Sequence, residues 1–199
     1  MIILDLEQRT PEWYAARCGV LSASNFDKII TTKGEPSKSA QKYLYQLAGE
    51  RVSGRVEETY QNAAMQRGIE MEAQAREFYE LVNDVQVQQV GLCFFDNTRR
   101  VAASPDGLVG DDGCLEIKCP LIYTHVGYLV NGGLSEEYFQ QAQGQLFVTG
   151  RKWVDLISYF PGIRPVIVRL ERDEKFISSL SKQLDQLCKD LYEITEKIR

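Results

Sequence analysis

The stretch "AASPDGLVGDDGCLEIKCP", residues 102–120, sets an aspartate, a glutamate and a lysine inside two apolar runs. Asp106 follows Pro105; Glu116 and Lys118 stand two positions apart in "CLEIKC". On a β-strand, positions i and i+2 share a face, so Glu116 and Lys118 point together while Leu115, Ile117 and Cys119 point into packing. "GDDG", 110–113, is a hairpin turn by composition. It folds the two runs back so that Asp106 comes across from Glu116. Pro105 interrupts its ladder, as proline does at an edge or a bulge. Two carboxylates and one ammonium then converge on a point, with the Ile117 carbonyl as a further oxygen. Such hard oxygens suit Mg²⁺ or Mn²⁺. A bound metal polarises a phosphoryl oxygen and lowers the pKa of a water. Lys118 orients that water or stabilises charge building at phosphorus. The chemistry is phosphodiester hydrolysis. The alternative is a charged hairpin face with a cross-strand ion pair, although three charged groups amid apolar strands are costly unless paired or metal-bound.

The elements that must position these groups are legible as patterns. "PEWYAAR" places Pro11 in a first helical turn. "SASNFDKII" offers Ser22 or Ser24 as an N-cap. "SAQKYLYQLAGERVSG" sets Tyr43, Leu44, Leu47, Ala48 and Val52 on one helical face and ends near Gly54. A longer helical pattern runs over 58–83 with Ala64, Ile69, Ala73, Phe78, Leu81 and Val82. "VQVQQVGLCFF" is strand-like, and the Asp106–Glu116 hairpin follows it. "SEEYFQQAQGQLFVTG", 135–150, is helical. "KWVDLISYF" and "RPVIVRLE" are strands. Residues 173–199 form an amphipathic helix burying Phe176, Ile177, Leu180, Leu184, Leu187, Leu191, Ile194 and Ile198. Residues 31–40 read as a loop. The expected fold is α/β, a central mixed β-sheet flanked by helices, in one domain over 1–199.

The bulk numbers bound the function. The chain has 199 residues, 44% apolar and 26% charged, enough for a normal core. No apolar run approaches the ~20 residues of a membrane span. The start, "MIILDLEQRTPEW", is unlike a secretory signal, so the expectation is a cytoplasmic protein without a membrane. Five cysteines with no C-x-x-C pair read as reduced thiols rather than a zinc or iron–sulfur site. A net charge of −5 argues against a general nucleic-acid coat protein but not against an enzyme that gathers its cations in one channel. Trp13 reads as core, and His125, the only histidine, as incidental.

Five blocks carry a resemblance. "SPDGLV…LEIKCP" resembles the PD-(D/E)-x-K motif. "QRTPEWYAARCGVLSASNF", 8–26, resembles the N-terminal block of the phage lambda-type alkaline exonucleases. "RGIEMEAQAR", 67–76, is similar to their G-x-x-x-E-x-x-A-R helix, and "QQAQGQLFVTG", 140–150, to their Q-x-Q helix. "ERDEKFISSL" resembles their entry to the C-terminal helix. The blocks occur in family order over nearly the whole chain.

The resemblance implies a restriction-endonuclease-like core and a Mg²⁺-dependent exonuclease (Mn²⁺ also suits the ligands) with two ions per site. It implies digestion of one strand of linear duplex DNA from the 5′ end to mononucleotides, leaving a 3′ overhang. It further implies a ring-shaped homotrimer on duplex DNA ends, a single-strand annealing protein as partner, and a phage or prophage origin in a bacterial host. A ring would let an acidic protein hold DNA by confinement. Carried over by position, Asp106 and Glu116 match the metal ligands, Ile117 the carbonyl donor, Lys118 the catalytic lysine and Glu72 the helix glutamate near the metals. Arg17, Ser24, Ser104 and Gln143 match the 5′-phosphate pocket, with Gln145 the second choice to Gln143. Plainer roles stand beside these: a Glu72–Arg76 helical ion pair, an N-cap at Ser24 and a polar helix face at Gln143. Two other functions share the core: a restriction- or repair-type DNA endonuclease, and a DNA-binding scaffold with a vestigial site.

Overall fold

The computed structural model describes residues 1–56, 63–131, 133–134 and 136–199. The chain opens with β1 (Ile2–Leu4), α1 (Pro11–Arg17) and β2 (Leu21–Ser22), then a 3₁₀ turn over Ala23–Lys28. Two long helices follow, α2 (Ala40–Ser53) and α3 (Ala63–Asn83). Next come β3 (Val87–Gln88), β4 (Leu92–Phe94), β5 (Val101–Ala103), β6 (Gly107–Val109) and β7 (Gly113–Lys118). The chain closes with α4 (Ile122–Val130), α5 (Phe139–Thr149), β8 (Trp153–Phe160), β9 (Ile163–Glu171) and α6 (Glu174–Ile198). The class is the expected α/β. Among the described residues no helix is long and apolar enough to cross a membrane.

The strands form two mixed sheets rather than a single central one, ordered β1-β4-β5-β2 and β3-β6-β7-β8-β9. Pro105 explains part of the split. It lacks an N–H, so the first arm of the expected hairpin, "RRVAASPDGLVG", ends its ladder at Ala103 and resumes at Gly107 in the other sheet. The run 85–95 divides similarly at Gly91, where a Cβ would lie 2.0 Å from the Leu6 carbonyl oxygen. Only glycine lets the two backbones pass that closely.

The larger core joins α2, α5, α6 and the inner sheet faces, with Phe26, Ile29, Leu44, Leu146, Leu180 and Leu184 fully or nearly buried. A second cluster gathers Ala75, Tyr79, Leu115, Ile117 and Ile157 between α3 and the five-stranded sheet. A third seats Trp13 on β4 and β5. Asp173 caps α6, its Oδ1 accepting from the Phe176 N–H at 2.9 Å.

Several expected core positions are exposed. Leu81 and Val82 lie on the outer face of α3, which turns Ala75 and Tyr79 inward instead. Val52 and Ile198 sit at helix ends where the packing partner has run out. Ala73 is exposed on the cleft side of α3. The expected helical start over 58–62, the Ala64 side chain and the start of the 135–150 helix lie outside the described residues. Helix α5 itself begins at Phe139, after a 3₁₀ turn over Glu136–Tyr138. His125 proves structural. It is fully buried, with Nδ1 2.7 Å from Ser158 Oγ and Nε2 3.1 Å from the Arg164 carbonyl oxygen.

Behind β7, a buried polar network ties the second cluster together. The Tyr79 hydroxyl donates to Asp155 Oδ2 at 2.6 Å, and Arg169 donates to both Asp155 oxygens at 2.7 Å. The Arg169 guanidinium lies 3.6 Å from the Trp153 ring centroid. Truncating Asp155 strands a buried hydroxyl and loosens a bidentate pair. Asp155→Ala is therefore expected to cost about 2 kcal/mol, read as a fall in Tm of ~4–8 °C by circular dichroism.

Candidate active site

The β6–β7 register fixes the first three groups. Gly107 pairs with Leu115 and Val109 with Gly113, so the antiparallel register, continued one step, sets Asp106 opposite Glu116. The β6 ladder stops there, and Asp106 takes the place of the missing strand. Its Oδ2 accepts from the Ile117 N–H at 2.6 Å. A strand residue's N–H and C=O point to the same side, so the Ile117 carbonyl also faces this gap.

Glu116 is buried at 4% exposure and saturated with donors. Lys118 Nζ reaches its Oε1 at 2.7 Å, Gln141 Nε2 the same oxygen at 2.6 Å, and Gln145 Nε2 reaches Oε2 at 2.5 Å. Lys118 Nζ also lies 3.3 Å from Gln141 Oε1 and 4.7 Å from the Tyr138 ring centroid. Leu115 and Ile117 pack on the opposite face, so the period-2 alternation places the charges as the sequence indicated.

Electrostatics mark the spot. Burial pushes the Asp106 carboxyl well above the usual carboxylate range, and Glu116 and then Glu72 add to the rise. Burial alone would lower Lys118, but Glu116, Asp106 and Glu72 reverse it and its pKa is raised. The Cys119 thiol is pushed up to about 12, first by burial and then by Glu72 and Asp106. Three carboxylates thus share one region with a single ammonium among them.

Glu72 comes to this region from α3, but not as half of a helical pair with Arg76. Its Oε1 accepts from Arg9 Nη2 at 2.5 Å, Arg9 lying in the β1–α1 loop. Glu72, Asp106, Arg9, Arg76 and Gln8 line a cleft of about 470 Å³.

A second cavity, of about 380 Å³, lies over Arg17. Arg17 Nη2 donates to Ser22 Oγ at 2.8 Å and Ser24 Oγ at 3.0 Å, and its guanidinium stacks 4.1 Å from the Trp13 ring centroid. Burial lowers its pKa. Asn25, Lys28 and Tyr43 complete the wall. Ser22 occupies the N-cap position of the 3₁₀ turn, yet its side chain makes no capping bond and turns to Arg17. Arg17 and Ser24 are therefore brought together, as the family resemblance implies. Ser104 lines neither cavity; its hydroxyl is buried with no partner among the described residues.

Gln143 is not at either site. It is fully buried, donating to the Glu171 carbonyl at 2.8 Å and accepting from the Asp173 N–H at 2.9 Å, which ties α5 to the β9–α6 junction. Residues two apart on a helix face roughly opposite ways, whereas residues four apart share a face. Gln141 and Gln145 are such a pair, and they hold Glu116. The i, i+4 spacing inside "QQAQGQ" was the available signal for Gln141, which the reading of the sequence missed. Gln141 bridges Glu116 and Lys118 without being charged. Gln141→Ala is expected to lower kcat by ~10–100-fold while leaving Tm within a few degrees; single-turnover kinetics beside a thermal melt checks it.

The comparisons place this geometry in a family. The YqaJ-like viral recombinase domain matches residues 12–152. The chain belongs to that family. An alkaline exonuclease from Laribacter hongkongensis is similar over 95% of this chain and 96% of its own, at 36% identity and a TM-score of 0.85, and has also been solved in complex with dAMP. A phage-related exonuclease from Haemophilus somnus 129PT shares the fold at 15% identity and a TM-score of 0.70, covering 90% of this chain and 96% of its own. No curated protein sequence matches. The family is the one the ordered blocks resemble, and the matched span of this YqaJ-like chain holds Arg17, Glu72, Asp106, Glu116 and Lys118.

Proposed function

We propose that this chain is a metal-dependent exonuclease that degrades one strand of linear duplex DNA from its 5′ end, releasing mononucleotides and leaving a 3′ overhang for recombination by strand annealing. One observation carries the reading: Asp106 stands opposite Glu116, with Lys118 on Glu116, and Arg9 borders both their cleft and a cavity lined by Arg17, Ser22 and Lys28. The alkaline exonuclease at 36% identity, and the deoxynucleoside monophosphate bound to it, support the same substrate class.

The donors fit Mg²⁺ or Mn²⁺ in kind. All are hard oxygens, and the Asp106 carboxyl is raised first by burial and then by Glu116 and Glu72, negative charge that a divalent cation would offset. Among the described residues no three acidic, histidine or cysteine groups already form a cage, because Glu72 is taken by Arg9 and Glu116 by Gln141, Gln145 and Lys118. Asp106, Glu116 and the Ile117 carbonyl would hold one or two ions, with Glu72 close by. When bound, such ions supply an activated water and polarise the phosphoryl oxygen. The chain's residues do the rest. Arg17 and Ser24 hold the end phosphate as a charge-assisted fork. Lys118 stabilises the charge that develops at phosphorus. A homotrimeric ring and an annealing-protein partner belong to the same proposal; light scattering at micromolar concentration should give the mass of three chains.

The test uses linear duplex DNA with Mg²⁺, comparing 5′-phosphate ends, 5′-hydroxyl ends and covalently closed circles. Rapid loss of one strand from phosphorylated ends, with circles untouched, is the expected result. Nicked circles would keep the metal site but favour an endonuclease on the same core.

A further inference from the structure

Arg9 lies outside the span that matches the family, and it is the one described residue that lines both the carboxylate cleft and the Arg17 cavity. Its backbone sits at φ +69°, the left-handed region that side-chain-bearing residues seldom adopt. The conformation is enforced from both sides. Gln8 Nε2 donates to the Val90 carbonyl at 2.9 Å and the Pro105 carbonyl at 3.0 Å. Thr10 caps α1, accepting from the Trp13 N–H at 3.3 Å, and donates to the Glu7 carbonyl at 2.8 Å. The Arg9 side chain is 34% exposed, against 20% for Glu72. Asp106 and Tyr14 are within electrostatic reach of its guanidinium.

This placement has a consequence for a DNA end. A strand whose 5′-phosphate occupies the Arg17 pocket must carry its next phosphate, the scissile one, towards Asp106 and Glu116. Because Arg9 borders both cavities, that path would pass its guanidinium. A guanidinium there offers two parallel N–H donors to a phosphodiester. At present Glu72 takes that charge, and a divalent cation at the carboxylates competes for the same Glu72 oxygens.

We propose that Arg9 binds the scissile phosphodiester, and that its ion pair with Glu72 is the resting arrangement from which a divalent cation releases it. The proposal rests on the exonuclease reading. Arg9 then links recognition of the end to the carboxylate site, because the same residue borders both.

The experiment is equilibrium binding of a short labelled duplex to the full chain, by anisotropy over a salt series, with Ca²⁺ or with EDTA. Wild type, Arg9→Gly, Arg9→Lys and Arg17→Ala are compared on 5′-phosphate and 5′-hydroxyl ends. Glycine is at ease at positive φ, so Arg9→Gly removes the charge without adding strain. Losing one phosphate contact lowers the slope of log K against log salt by about one. With Ca²⁺, Arg9→Gly is expected to lose that unit on both kinds of end, whereas Arg17→Ala loses it only on phosphorylated ends. Arg9→Lys keeps the slope and binds more weakly. In EDTA, Arg9→Gly should match wild type. A wild-type slope for Arg9→Gly in Ca²⁺, alongside reduced cleavage, would overturn the proposal and leave Arg9 as a partner of Glu72 alone. Wild type with no preference for ends would instead fail the exonuclease reading.

Discussion

Asp106→Ala is expected to lower Mg²⁺-dependent digestion of linear duplex DNA by ~10³-fold or more, the scale of removing a group that anchors transition-state charge. The reason is position. Asp106 fills the gap where the β6 ladder ends, holds the Ile117 N–H at 2.6 Å and faces Glu116 and Glu72. Without it, the oxygen donor is gone and the Ile117 N–H loses its partner, although β7 stays paired with β8. The same change should leave the Tm of the metal-free protein nearly unchanged, because removing one of three crowded, buried carboxylates offsets the lost hydrogen bond. Two buried-side aspartates thus predict opposite outcomes: Asp155→Ala lowers Tm and spares chemistry, whereas Asp106→Ala spares Tm and removes chemistry. Thermal shift adds a second readout. A ligand at 100 times its Kd stabilises by about 2.7 kcal/mol; in a chain of this length that raises Tm by ~5–10 °C. Wild type should show that rise with Mn²⁺ and Asp106→Ala should not. Mg²⁺-dependent cleavage persisting in Asp106→Ala would remove Asp106 from the site.

Local period was legible in the strands of the hairpin and in α6, but not in α3, where it set Leu81 and Val82 inward and they are exposed. Alternation in "CLEIKC" correctly divides Glu116 and Lys118 from Leu115 and Ile117, because strand geometry alone fixes that division. The amphipathic stripe of α6 is legible for the same reason, except at its last turn, where Ile198 passes beyond its packing partner. The Arg17–Ser24 pair also survives, but it came from the family block and not from any local period, since β2 lies between the two residues. Long-range pairing was not legible. Nothing local says that Glu72 meets Arg9 rather than Arg76, because the β1–α1 loop and α3 meet only in the assembled fold. Nor does composition reveal that two sheets form, since the cause is Pro105 and the close passage of Gly91 against Leu6. The Gln143 assignment came from position in a family block. Helical phase would have chosen Gln141 and Gln145, which lie four apart on one face of α5. Helix α4, over Ile122–Val130, had no assignment because its apolar residues do not keep to one face: Tyr123 and Val130 are largely exposed while His125 is buried.

Lys118→Met isolates the remaining charge. Met keeps the apolar stem that passes Tyr138 and removes the ammonium that lies 2.7 Å from Glu116. If Lys118 serves chemistry at phosphorus, kcat should fall by ~10²–10³-fold. If it serves only to neutralise Glu116, its loss leaves a more negative site that an added divalent cation can repair, and activity should return at high Mn²⁺. The two roles therefore separate in one titration. The expected result is low kcat at every Mn²⁺ concentration, with Mn²⁺ binding by calorimetry as tight as wild type or tighter. Tighter binding follows because one competing cation has gone while Asp106, Glu116 and Glu72 remain. Gln141 sharpens the distinction, since it contacts both partners of the ion pair. A double-mutant cycle of Lys118→Met with Gln141→Ala should be strongly non-additive, the second change costing little once the first is made. Additive losses would mean that Gln141 acts on Glu116 independently of Lys118.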